Sequence, residues 1–353
     1  MPKSIEYVGV LHVHSVYSDG SGEVEQIASF ASECELDFLI LTDHNTLRAR
    51  DEGYQKFYGN TFLMVGCEIN DKDNRNHYLA FGIDKVISTR LPAREYINKV
   101  SELGGIGFIA HPDEKRDQMK EHPPYPWTDW EADGFTGIEI WNHMSEWMEN
   151  LTEENKYQSF MHPLRTIQGP PEVTLKRWDE LNMHRKVVGI GGVDAHAHKI
   201  NLLGFFEVEV FPYKVLFKSI RTHILLDEKI EVSENPEEIL KTEKKILAAL
   251  REGRCFVSND YHGDAKGFRF FVKDISFNTW MQGSTVKLQN NMHLVVYSPG
   301  VPCTVRLIRN GELAGTSNSD ESVFELTEEG VYRVEVYKYN KAWIFSNHIR
   351  VIQ

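Results

Sequence analysis

The residues best able to do chemistry sit at the ends of short apolar runs. His12-Val13-His14 closes the first run and is followed by Ser18-Asp19-Gly20. Thr42-Asp43-His44-Asn45 ends a second, Gly66-Cys67-Glu68 a third, and His77 opens a fourth. Ala110-His111-Pro112 and Gly192-Val193-Asp194-Ala195-His196 end two more. Residues i and i+2 of a strand share a face, so His12 and His14 can converge on one ion. Imidazole and carboxylate groups together suit divalent cations of the zinc, manganese and iron type. Each motif alone has an ordinary reading: a strand-end histidine is commonly hydrogen-bonded structure, and Thr-Asp-His can cap a helix. Taken together, those readings place several costly polar groups independently in apolar surroundings. Coordination to a cation would satisfy them at once.

The elements that must position these residues alternate in type. Strands are predicted at Tyr7–His14, Phe38–Thr42, Phe62–Ile69, His77–Ile83, Ile106–Ala110, Gly137–Trp141, Val187–Val193 and Gly204–Val210. Helical spacing appears between them, as at Glu23–Glu35, where Val24, Ile27, Ala28, Ala31 and Cys34 share a face and Ser21 offers an N-terminal signal. Such alternation predicts an α/β fold with a parallel sheet or barrel. The stretch 112–171, rich in proline, aromatics and methionine, reads as an insertion with one or two helices over the barrel mouth. Pro236–Glu252 has helical spacing and closes on Gly253. Beyond about residue 261 the pattern turns to short alternating runs (Phe268–Ile275, Met292–Tyr297, Thr304–Arg309, Val331–Tyr337, Ile344–Val351) separated by glycine turns. That pattern predicts a small all-β sandwich over 262–353, after a first domain over 1–261.

The order HxH…SDG, TDHN, GxE, H, AHP and GxDxHA resembles the polymerase-and-histidinol-phosphatase (PHP) domain over roughly residues 5–260. The resemblance implies a distorted (β/α)7 TIM-like barrel with two to three divalent metal ions (Zn, Mn or Fe). It further implies that His12, His14, Glu68 and Asp194 hold one ion and that Glu68 bridges to a neighbour held with His77 and His111. Asp19, His44 and His196 would hold the third; many relatives have histidine where this chain has Asp19, and a carboxylate there favours a harder ion or a weaker site. Glu139-Ile140-Trp141-Asn142, Arg306–Gly311, Val331-Tyr332-Arg333 and Trp343–Asn347 resemble the carbaryl-hydrolase-like PHP group, whose C-terminal domain is an Ig-like β-sandwich.

Metal ions so placed would activate water for direct attack, so the expected activity is metal-dependent hydrolysis by a metal-bridging hydroxide. A phosphoesterase cleaving a small monoester or diester is the leading expectation, and an amide, carbamate or carboxylic ester hydrolase the alternative. A non-catalytic metal-binding module is a third reading, disfavoured because every expected ligand position is filled. Asp194 is the candidate proton acceptor, and His196 or Asp43 the group passing a proton to the leaving group. Asn142, His143, Lys115 and Arg116 are candidate substrate contacts, with Arg165 and Arg221 as further cations, and His198 is placed to orient a ligand. Trp127, Trp130, Trp141 and Trp147 read as packing or as a pocket wall. No GxSxG elbow or GxGxxG loop is present.

Composition narrows the partners. With 39 basic and 52 acidic residues the net charge is −13, which disfavours nucleic acid and leaves a small anionic substrate or phosphate. No run approaches the length of a membrane span. Met1–Glu6 lacks the apolar stretch of a leader, and the four dispersed cysteines form no CxxC pair, so a cytoplasmic, disulfide-free chain is expected.

Overall fold

The structure is a computed structural model describing residues 2–116, 123–202, 206–300 and 302–353. Its first part runs β1 (Ile5–Val13), α1 (Val24–Glu33), β2 (Phe38–Leu41), α2 (Arg48–Asp51), β3 (Phe57–Tyr58) and β4 (Thr61–Val65). It continues through β5 (Cys67–Ile69), β6 (Tyr78–Phe81), α3 (Ala93–Glu102), β7 (Ile106–Ile109) and β8 (Gly137–Asn142). Then come α4 (His143–Glu149), α5 (Lys156–Met161), α6 (Glu172–His184), β9 (Val188–Gly192) and the hairpin β10 (Lys199–Leu202) and β11 (Phe206–Glu209). This part ends with α7 (Tyr213–Leu216), β12 (Ile220–Leu226), α8 (Pro236–Glu252) and β13 (Cys255–Asn259). Strands follow almost without helix: β14 (Arg269–Lys273), β15 (Thr279–Met281), β16 (Thr285–Lys287), β17 (Met292–Tyr297) and β18 (Thr304–Arg309). The last are β19 (Glu312–Ser317), β20 (Glu321–Leu326), β21 (Gly330–Lys338), β22 (Lys341–Ser346) and β23 (Ile349–Ile352).

The fold is mixed α/β with antiparallel sheets towards its C-terminus. One long sheet follows the order β16-β23-β21-β22-β13-β12-β1-β2-β4-β3, with β18 and β19 joined through β21. A second runs β5-β6-β7-β8-β9. The expected closed barrel of continuous ladders is not formed among the described residues. Instead the two sheets meet at two seams, marked by the isolated bridges Val13↔Ala195 and His44↔Glu68. Pairing is also mixed: β1–β2, β2–β4, β7–β8 and β8–β9 are parallel, whereas β1–β12, β5–β6 and β6–β7 are antiparallel. A third sheet, β15-β14-β17-β20, faces the C-terminal part of the long sheet across a core that includes Phe268, Phe270, Leu294, Val334 and Trp343. The long sheet crosses the expected boundary near residue 262, because β22 pairs with β13 through Phe256↔Ser346 to Ser258↔Ile344.

Local sequence explains most element ends. Helix α1 buries Val24, Ile27, Ala28 and Ala31, as its spacing predicts. Its N-cap is Glu23 rather than Ser21, whose hydroxyl instead donates to the Ala197 carbonyl. Helix α8 starts with Asn235 capping the Glu237 N–H and Pro236 in the first turn, and it ends on Gly253 in the left-handed region. The single predicted strand Phe62–Ile69 breaks at Gly66, where a Cβ would lie 2.8 Å from the Ala80 carbonyl. The run Ile344–Val351 breaks at Asn347, whose amide bonds Gly189 and Cys255. The predicted strand Gly204–Val210 starts outside the described residues, among which β11 pairs only with β10.

Buried ion networks tie the C-terminal strands to the rest. Arg333 on β21 makes a bidentate pair with Asp179 of α6 at 2.7 and 2.8 Å, and His348 reaches the same carboxylate at 2.7 Å. Near β1, His223 Nδ1 lies 2.8 Å from Glu6, which also accepts from Gly267 N–H. His223 Nε2 donates to Ser258 Oγ, which in turn donates to Asp260. Because that hydroxyl gives its proton to a carboxylate, this serine–histidine–glutamate set is a buried cation between two acids, not a nucleophile. Burial opposes charge on His223, but Asp260 and Glu6 outweigh it and raise its pKa. A raised histidine pKa stabilises the fold fully below about pH 6.5, and that stability is lost as pH rises through the folded value. His223→Gln is therefore expected to destabilise by about 3 kcal/mol at pH 6 and by less at pH 9. Thermal unfolding of both proteins across that range checks it; a gap that widens with pH would refute the assignment.

Candidate metal centre

All nine predicted ligands gather at the two seams. At the first, His14 N–H bonds the Ala195 carbonyl (2.9 Å) and Ala195 N–H the His12 carbonyl (3.2 Å), so the end of β1 lies against the segment after β9. At the second, Asn45 N–H bonds the Glu68 carbonyl (2.9 Å), bringing the segment after β2 onto β5. His77 precedes β6, the antiparallel partner of β5, and His111 follows β7. Seams leave backbone free of the ladder, so side chains from neighbouring strand ends can turn toward one point.

Glu68 is that point. Its Oε1 lies 2.8 Å from His77 Nδ1 and 3.4 Å from His111 Nε2. Its Oε2 lies 3.0 Å from His12 Nε2, 3.1 Å from His14 Nε2 and 3.5 Å from His44 Nδ1. Asp194 Oδ1 sits 3.3 Å from His12 Nε2 and 3.5 Å from His14 Nε2. Asp19, the most exposed of the set, approaches His196 (3.4 Å), His14 (3.6 Å) and His44 (3.7 Å).

Four groupings have ligand atoms close enough to share an ion: His12/His14/Asp194, His12/Glu68/His111, His44/Glu68/His77 and His14/Asp19/His44/His196. The residues fit a metal on a further observation. His14 Nε2 and His44 Nδ1 are buried without a hydrogen bond, although Glu68 Oε2 lies 3.1 and 3.5 Å away. Nitrogens so placed are arranged for a ligand other than their neighbours.

The loops around the cluster are braced. Gly20 packs so tightly on the end of β1 that a Cβ would lie 2.3 Å from the His14 carbonyl, which only glycine permits. Asp43 accepts from Ser15 N–H (2.7 Å), Ser15 Oγ (2.7 Å) and Ser18 Oγ (2.9 Å), fixing the turn that carries Asp19. The Tyr213 hydroxyl lies 2.7 Å from the His14 carbonyl and 3.0 Å from that of His196. His12 (φ 64°), His111 (φ 28°) and Asp194 (φ 54°) all hold left-handed backbone, costly for residues with a Cβ and typical of functional sites.

Electrostatics follow from close packing of opposite charges. Burial disfavours charge on His14, yet the nearby Asp194 and Glu68 carboxylates raise its pKa to about 10. His111 is likewise raised, to about 9, against burial by Glu114 and Glu68. His44 is pushed down to about 4, chiefly by burial and with a contribution from its neighbour His14. Burial raises the pKa of Glu68 and Asp194, but the histidines overcome it and hold both well below the usual range. Both acids are thus ionised and available to a cation.

The predicted substrate contacts divide. Asn142 is buried at the centre, its amide donating to Glu139 (2.9 Å) and Asp194 (3.3 Å), while its carbonyl oxygen caps α4 through Ser145 N–H. His143 is fully buried with neither ring nitrogen bonded, and burial lowers its pKa to about 3. Lys115 is exposed. Arg116 pairs with Glu114 and lies 5.6 Å over the ring of Tyr125, which stacks on His77 at 5.1 Å. His198 is exposed and stacks on His196 at 5.0 Å. Arg221 is held by Asp260 and the Phe217 carbonyl, and Arg165 by Tyr261. Trp127, Trp141 and Trp147 are packing residues, and Trp130 lies under Arg177. Sequence reasoning missed two residues at the site, Glu139 and Tyr125. A lone glutamate inside the apolar run Gly137–Trp141 was the available signal for the first; Tyr125 had none.

Residues 11–162 match the PHP domain family. No curated protein matches the chain. Among solved structures, a two-domain Bacteroides vulgatus protein containing a predicted PHP-like metal-dependent phosphoesterase is 13% identical, with a TM-score of 0.43 over 98% of this chain and 95% of that one. A Bifidobacterium adolescentis protein with a provisional metal-dependent phosphoesterase name is 17% identical, with a TM-score of 0.33 over 57% and 92% of the two chains. An amidohydrolase from Chromobacterium violaceum is 14% identical, with a TM-score of 0.33 over 53% and 87%. The stretch that matches the PHP domain family contains His12, His14, Asp19, His44, Glu68, His77 and His111, while Asp194 and His196 lie beyond it.

Proposed function

We propose that the chain is a metal-dependent hydrolase whose ions are held by His12, His14, Asp19, His44, Glu68, His77, His111, Asp194 and His196. The observation that carries the reading is Glu68, whose two oxygens face five imidazoles in two groups, the disposition of a carboxylate shared between ions. Divalent cations there would make a water acidic enough to act near neutral pH and would offset negative charge on the reacting group. Two or three ions suit the groupings, with the Asp19, His44 and His196 position the most open.

The chain's own residues do the rest. Asp194, ionised and within reach of His12, His14 and His196, is the proposed proton acceptor. His196, its Nδ1 fixed on the Asp194 carbonyl at 3.0 Å, is the proposed donor to the leaving group where its Nε2 holds no ion. Asp43, engaged by three donors from Ser15 and Ser18, is better suited to brace the loop. A small phosphate monoester or diester is the proposed substrate, because the ions would offset charge on phosphate oxygens and on the leaving group. Around this site the two stitched sheets act as a distorted, barrel-like scaffold, with residues 262–353 as a sandwich appended to it.

Turnover of p-nitrophenyl phosphate, bis-p-nitrophenyl phosphate and p-nitrophenyl acetate, with Mn, Zn or Fe supplied, tests the choice. Hydrolysis of the acetate alone would overturn the phosphoester reading in favour of an ester or carbamate substrate. Asp19→Ala is expected to lower bound metal by about one ion of three and to slow turnover about tenfold, within the range seen when a supporting group is lost. Unchanged metal content and rate would remove the third position.

A further inference from the structure

Glu139 belongs to no predicted ligand set, yet it is almost wholly buried inside the cluster. Its Oε1 lies 2.9 Å from His12 Nδ1. Its Oε2 accepts from the His111 main-chain N–H and from the Asn142 amide, each at 2.9 Å. The sequence makes deliberate room for it: a Cβ on Gly192 would lie 2.1 Å from Glu139 Oε1 and 2.7 Å from the Cβ of His12. With Oε2 taken by two N–H donors, Oε1 is the oxygen turned to His12 Nδ1, while His12 Nε2 lies 3.0 Å from Glu68 and 3.3 Å from Asp194, the face toward the proposed ions. The same carboxylate pins the backbone of His111, a residue in left-handed conformation that relies on outside bonds to stay there.

We infer that Glu139 is a positioning residue that holds the His12 ring with Nδ1 protonated and Nε2 free for a cation, and couples that ring to His111. This rests on the proposed metal site but not on the reaction it performs. Histidine ligands are commonly fixed through their second nitrogen, and loss of such a partner costs about 10- to 100-fold in metal affinity.

Zinc titration of metal-depleted protein by calorimetry tests the inference. Glu139→Ala should bind Zn²⁺ about 10- to 100-fold more weakly than the parent. Glu139→Asp, which keeps a carboxylate for these donors, should recover part of that loss. Parent-like affinity in Glu139→Ala, or equal weakness in both variants, would overturn it. Should the alanine variant fail to fold, the imidazole signals of the zinc-loaded, ¹⁵N-histidine-labelled parent decide. A slowly exchanging Nδ1–H on His12 supports the assignment, and an Nε2–H tautomer refutes it. A parent that binds zinc but cleaves none of the nitrophenyl esters defeats the hydrolase reading and leaves this one standing; a parent that binds no zinc defeats both.

Discussion

Glu68→Ala is expected to abolish hydrolysis, with kcat/KM falling by more than the roughly 100-fold that losing a supporting partner costs. It should also deplete at least two ions. The reason is that one carboxylate faces both imidazole groups, so its removal leaves His77 and His111 on one side, and His12, His14 and His44 on the other, without their shared anion. Glu68→Gln separates charge from shape: it fills the same space but cannot offset two cations. Metal analysis beside steady-state kinetics on both variants checks this. If Glu68→Gln kept its metal and its rate, the cluster would not be organised around this residue.

Exhaustive chelation is the second large effect. It should remove all turnover, and a divalent ion added back should restore it. Stability should follow, because a ligand binding only the folded state adds about 4 kcal/mol when its free concentration is a thousand times its dissociation constant. The gain comes from satisfying buried nitrogens that otherwise have no hydrogen bond, such as His14 Nε2 and His44 Nδ1. Melting curves with and without Mn²⁺ or Zn²⁺ should differ by several degrees. Full activity after complete metal removal, shown by elemental analysis, would end the metal-hydrolase proposal. Among the described residues no helix is long and apolar enough to cross a membrane.

Much of the site was legible because its signal is local. Histidines and carboxylates at the ends of apolar runs are costly unless partnered, but the left-handed backbone at His12 and the end of β1 at Val13 lie outside the two-residue repeat of a strand. Helices α1 and α8 were legible for the same reason: spacing, cap and stop are written within a few residues. Strands β12 and β13 were not. Ile220–Leu226 carries Arg221, Thr222 and His223, and Cys255–Asn259 carries Ser258, which read as polar until Glu6, Asp260 and Gly191 supply their partners from far along the chain. Glu139 was hidden likewise, since its three partners come from β1, the end of β7 and the end of β8.

By itself, then, the amino-acid sequence determined which side chains can take a cation and that strand ends present them, because both depend on residue type and short-range periodicity. Tertiary structure alone decided that the strands form two sheets stitched at seams, that Glu68 faces both imidazole groups, and that Glu139 and Gly192 lock His12 in place. Those outcomes depend on which distant backbones come within hydrogen-bonding range, and no local spacing encodes that distance.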